Sequence, residues 1–228
     1  MADRYETIVK DRLNMYFLLD SSCSMYGVKM QQLNDAMQNL KVIEAEAKNE
    51  GVDVIIRVIE FGNSEEASWY VGTPDLGINI KEFKWENLES GNNRPTASAI
   101  EMVTNAIDWK YLGERVLKPF VMLVSNGGCT EGKPKYTKAC QHLVSKHGEK
   151  VIRAAIALDG SSIAELEAFA SKDIELNKPM VYNPKDASDI IKLIRWVDTV
   201  ELRAGDETPM GKNQQTGNAL PDPGRWIP

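Results

Sequence analysis

Asp20, Ser22 and Ser24 occupy alternate positions in the segment LNMYFLLDSSCS, a D-x-S-x-S spacing. A carboxylate and two hydroxyls at every second residue of a curling loop can aim their oxygens at one point. Hard oxygen donors of this kind suit Mg²⁺, Mn²⁺ or Ca²⁺. The same residue types also cap helices, and a helical pattern does begin near Val28, so the cap reading stands beside the metal reading at this stage. Two further segments carry oxygen groups at comparable places. Thr96 ends the polar loop 89–95, with Ser98 two residues on as the alternative hydroxyl, and Ser125-Asn126 closes the apolar run that starts at Leu117.

These groups make one site only if the elements before them end at one edge of a sheet. The run Met15-Tyr16-Phe17-Leu18-Leu19 stops at Asp20 and reads as a buried strand. Met30, Leu33, Met37, Leu40 and Ala47 recur at helical spacing, predicting one long helix that Gly51 ends, and VDVIIRVIEF at 52–61 reads as a strand covered on both faces. Strand, helix and strand form a parallel βαβ unit. No helix fits between Phe61 and Ser68-Trp69-Tyr70-Val71, so that piece is expected to pair antiparallel at an edge. A helix from Thr96 to Ile107, a strand at 117–126, a helix at 133–147, a strand at 151–159, a short helix at 163–171, a short strand at 180–182 and a last helix at 187–200 complete the pattern. The expected fold is α/β: a doubly wound, mostly parallel six-stranded sheet with one antiparallel edge strand and helices on both faces, spanning residues 1–202. Residues 203–228 are rich in Gly, Pro, Asn and Gln without an apolar period and read as an extended tail. In such a sheet, ligands sit at the carboxyl ends of the strands near the switch point, where the three loops would converge.

Composition narrows the function class. A net charge of −6 without a basic-aromatic interleave argues against nucleic acid and against an anionic membrane surface. The start, MADRYETIVKDR, lacks the apolar core of a secretion signal, and no stretch approaches about 20 uninterrupted apolar residues, which predicts a cytoplasmic protein. Cys23, Cys129 and Cys140 are odd in number and form no CxxC pair, so neither a disulfide framework nor a structural zinc site is expected.

The motifs LLDSSCSM, RPTASAI and VMLVSNGG, in this order and at these element ends, resemble those of von Willebrand factor A domains with a metal-ion-dependent adhesion site. The resemblance covers about 13–200 and looks nearest to bacterial TerY-like proteins associated with tellurium resistance and stress response. It implies a non-enzymatic protein-binding module. A divalent cation, Mg²⁺ above all, would be held by Ser22 and Ser24, by Thr96 directly or through water, and by Asp20 and Asn126. An aspartate or glutamate from another protein, a kinase or phosphatase among the candidates, would complete the coordination. Two departures stand out. Asn126 replaces the family's usual aspartate, which leaves one carboxylate in the group, and Cys23 replaces a small residue within the first loop.

Other classes fit less well. Gly127 to Lys133 matches G-x-x-x-x-G-K, but Pro134 stands where a nucleotide-binding loop needs Ser or Thr. A Mg²⁺-dependent phosphoryl-transfer enzyme using Asp20 as nucleophile would want further carboxylates, and Ser22 and Asn126 lie where those would be expected. A metal-free structural scaffold is the remaining alternative.

Overall fold

The computed structural model describes residues 11–112, 115–158, 163–173, 177–184 and 189. Seven strands form one sheet: β1 (Asp11–Asp20), β2 (Val52–Phe61), β3 (Ser68–Val71), β4 (Ile78–Asn79), β5 (Phe120–Ser125), β6 (Ile152–Ala157) and β7 (Val181–Tyr182). Their order is β3-β2-β1-β5-β6-β7, with β4 also on β2. All pairings are parallel except those of β3 and β4, which share the outer edge of β2. The sheet is therefore the doubly wound, mostly parallel one expected, with its antiparallel edge made of two short pieces. The second piece forms because Thr73 N donates to Leu76 O (2.8 Å) and turns the chain, so that Ile78 comes to lie opposite Ile56.

The period of two in β1 explains both layers. Leu13, Met15, Phe17 and Leu19 face one side, against Leu33 and Met37 of α1 (Val28–Gln38) and Ile43 and Ala47 of α2 (Val42–Asn49). Tyr16 and Leu18 face the other, against Ile100 and Val103 of α3 (Thr96–Ala106), Tyr136 and Leu143 of α5 (Lys133–His147), and Leu166 of α6 (Ile163–Phe169). A buried aliphatic or aromatic side chain contributes about 1.5–3 kcal/mol, so these two clusters hold the sheet from both faces. A one-turn α4 (Trp109–Leu112) follows α3, where the sequence had predicted no element.

The helix expected from Val28 to Glu50 is broken. Asn39 donates to Asp35 O through both its backbone N–H (3.2 Å) and Nδ2 (2.7 Å), and the next turns close three residues back, at Leu40 to Met37 and Val42 to Asn39. An asparagine side chain that competes for helix carbonyls is a recognised interruption. The chain re-enters a helix at Val42 with the same face toward the sheet. The expected last helix at 187–200 and the tail at 203–228 lie outside the described residues, residue 189 apart.

Candidate functional site

The sheet reverses direction of winding between β1 and β5, because β2 lies on one side of β1 and β5 on the other. Leu19 pairs with Val124, so Asp20 and Ser125 are next in register at the carboxyl ends. Across this gap Ser125 Oγ donates to Asp20 Oδ2 at 2.6 Å, and Asp20 Oδ1 accepts the backbone N–H of Ser22 at 2.9 Å. Asp20 has no solvent exposure. It is thus a buried carboxylate fixed by both neighbouring strand ends.

From Asp20 the chain enters a 3-10 turn, Cys23–Met25, which brings the next two hydroxyls together. Ser22 Oγ and Ser24 Oγ are 3.0 Å apart. Ser24 Oγ donates to Asn126 Oδ1 (3.0 Å) and Asn126 Nδ2 donates back to Ser24 O (3.2 Å), tying the β1 loop to the β5 loop. Asp20, Ser22, Ser24 and Asn126 therefore form one cluster. Its loops are strapped by main-chain contacts: Ser21 N donates to Phe61 O (3.1 Å), Gly91 N to Ser21 O (2.6 Å) and Asn93 N to Gly62 O (3.0 Å). A Cβ at Gly62 would collide with the backbone of Ser21 and Ser22, so only glycine permits this approach.

Thr96 begins α3, and its hydroxyl donates to Gly128 O at 3.3 Å. Among the described residues it makes no hydrogen bond to Asp20, Ser22 or Ser24. Ser98, the other hydroxyl of that loop, accepts from Ala67 N (3.4 Å), while its own N–H donates to Glu131 Oε2 (3.0 Å). Neither loop hydroxyl is hydrogen-bonded to the cluster. The side chain from this loop that does join it is one the sequence reading passed over. Arg94 Nε donates to Ser22 Oγ (3.1 Å) and lies 3.3 Å from Asp20 Oδ2, Nη2 donates to Ser24 Oγ, and Nη1 donates to Gly127 O. A cation was expected among these oxygens. In the structure it belongs to the chain itself.

That arrangement decides how well a divalent ion fits. Among the described residues Asp20 is the only carboxylate in the cluster, both its oxygens are engaged, and the guanidinium lies against three of the oxygens a cation would use. With Arg94 in this position the residues do not fit a divalent ion. A nucleophilic role for Asp20 meets the same obstacle, because no solvent-facing oxygen is left for attack on a phosphate. The Gly127 to Lys133 stretch is a turn into α5: Gly127 and Gly128 have φ of +83° and +84° and curl about Arg94, and the carboxylate of Glu131 is turned to Ser98 N and Lys135.

The rim of the cluster is apolar and exposed. Tyr26 is 83% and Val28 68% exposed, on the segment that leaves Ser24, while Met25 between them and the serine is buried. Lys29 Nζ adds a second positive group through Ser24 O at 3.2 Å.

No protein-family model matches the sequence, and neither does any curated protein. Solved structures are similar in fold. Proximal thread matrix protein 1 from the mussel byssus matches with a TM-score of 0.59 at 19% identity, over 85% of this chain and 48% of that one. The same protein with a zinc-occupied MIDAS motif gives 0.54 at 19% identity, over 86% and 46%. A von Willebrand factor type A protein from Catenulispora acidiphila gives 0.58 at 11% identity, over 85% and 43%. This chain spans less than half the length of each. What these likenesses establish, together with the strand order, is that the chain has the fold of von Willebrand factor A-type domains.

Proposed function

We propose that this chain is a non-enzymatic protein-binding module, which receives an acidic side chain of a partner at the face built by the ends of β1 and β5. The observation that carries the reading is that exposed Tyr26 and Val28 lie two and four residues beyond Ser24, whose hydroxyl accepts from Arg94, a cationic centre whose side chain keeps 17% of its surface in solvent. Binding hot spots combine aromatic anchors and arginine in this way, around groups that lose water on contact. The byssus protein of similar fold has a zinc-occupied MIDAS motif, which supports a cation-centred reading here. The TerY-like resemblance makes a kinase or phosphatase of a bacterial stress or tellurium-resistance system the first partner to test.

The test is co-purification from the native host with wild-type chain and with Tyr26→Ser, the bound proteins being identified by mass spectrometry. A surface change of this kind shifts stability by no more than about 0.5 kcal/mol, so a lost partner reports on the face and not on folding. A partner held by wild type and lost from Tyr26→Ser supports the reading. Equal recovery by both refutes it.

A further inference from the structure

We infer that Arg94 is the resident cation of this site, standing where a divalent ion would otherwise be held, and that its guanidinium is the group offered to a partner's carboxylate. The last clause rests on the proposed binding face; the first does not.

Four observations converge. The guanidinium contacts one oxygen each from Asp20, Ser22, Ser24 and Gly127, acceptors contributed by the loops at the ends of both central strands. Its backbone is pinned from both sides, since Arg94 N donates to Thr130 Oγ1 (3.2 Å) and Thr130 N donates to Arg94 O (3.1 Å), with Pro95 restricting the next step. The opposite loop is shaped to admit it. A Cβ at Gly128 would stand 2.6 Å from Arg94 Nη1, and the residue's φ of +84° is one that side chains rarely adopt. Finally, the charges match. One carboxylate meets one guanidinium, whereas a divalent ion added to the pair would bring the cluster to +2 in a buried setting.

Asn126 completes the logic. A monovalent cation needs one anionic partner, and an amide at position 126 supplies hydrogen bonds to Ser24 in both directions without adding a second negative charge. A guanidinium carries five N–H bonds in a planar fork. Three are engaged here, which leaves two on a side chain that keeps 17% of its surface in solvent, and carboxylate recognition by arginine is commonly bidentate.

The experiment is calorimetric titration of Mg²⁺ and Mn²⁺ alone into chelator-treated full-length protein. Wild type is compared with Asp20→Asn, with Arg94→Ala/Asn126→Asp and with that double variant carrying Asp20→Asn, each checked for native circular dichroism. The expected result is no saturable binding by wild type, saturable Mn²⁺ binding by the double variant, and loss of that binding when Asp20 is changed. Saturable binding by wild type that Asp20→Asn abolishes overturns the inference, because the ion then displaces the arginine. A folded double variant that takes no metal also overturns it, because Arg94 then does not stand at an ion's position. No partner enters this measurement, so it succeeds or fails separately from the protein-binding reading.

Discussion

Replacing Asp20 by asparagine keeps the side chain's shape and removes only its charge, which isolates what the carboxylate does for Arg94. The two are 3.3 Å apart, with Asp20 fully buried and Arg94 largely so. At an effective dielectric constant of about 20 their gross attraction is ~5 kcal/mol, offset by the cost of taking both charges out of water. Breaking a buried pair from one side costs about 3–5 kcal/mol, because the remaining charge is left unmatched. The solvent-facing edge of the guanidinium relieves part of that penalty, so about 3 kcal/mol is the expected loss on Asp20→Asn. With a urea m-value of about 2 kcal/mol/M, the unfolding midpoint should fall by roughly 1.5 M. Arg94→Ala and the double variant close a thermodynamic cycle, and groups in direct contact couple by about 0.5–3 kcal/mol. The expected coupling is near the top of that range, measured with chelator present throughout. A loss below about 1 kcal/mol on Asp20→Asn, with additive effects in the double variant, would refute the ion-pair argument.

Two further outcomes follow from groups away from the site. His147 is buried with Nε2 on Thr104 O at 2.8 Å and Nδ1 without a partner among the described residues; burial is the main cause that holds its pKa below the usual value. The unfolded chain therefore binds this proton more readily, so the stability that neutral His147 contributes is present above about pH 6.5 and declines as the pH falls through it. Unfolding midpoints between pH 7.5 and 5 should drop less steeply in His147→Gln, and parallel slopes would show that other groups set the dependence. For the cysteines, Cys23 is exposed while Cys140 is buried, its thiol pushed up to about 11 chiefly by desolvation. Iodoacetamide mass mapping of the native protein should find Cys23 modified and Cys140 spared until denaturant is added.

Much of this architecture is legible in the sequence where burial dominates. The run ending at Asp20 predicts β1 because five apolar residues must be covered on both faces, and the structure covers them. The helix at 133–147 agrees at both bounds, since Gly132 and Gly148 flank it with positive φ. Legibility fails where a local polar choice competes with a long apolar pattern. The Met stripe from Met30 to Ala47 continues across Asn39 as though nothing happened, because the broken helix re-enters on the same face. Arg94 is the larger omission. A charged residue between two asparagines and a proline reads as solvated loop, and its contacts with Ser22 and Ser24 cross 72 and 70 positions of sequence. The available signal lay in combination: a cation two residues before the expected threonine, a missing carboxylate at 126, and a Gly127-Gly128 pair with no nucleotide to cradle.

The margins of the sheet bear on how this domain meets other chains. An edge strand with unsatisfied N–H and C=O groups invites another strand to pair with it, and long edges are templates for uncontrolled stacking. Here the free side of β2 is taken by β3 and β4, four and two residues long, with a register shift between Val58 and Ile59, and β7 at the opposite margin has two residues. Such short and irregular borders offer a guest strand little backbone to grip, so recognition by strand addition is disfavoured on both sides. Among the described residues the sheet thus offers no long ladder as a template for joining sheet to sheet, which favours contacts made by side chains, whose chemistry selects the partner.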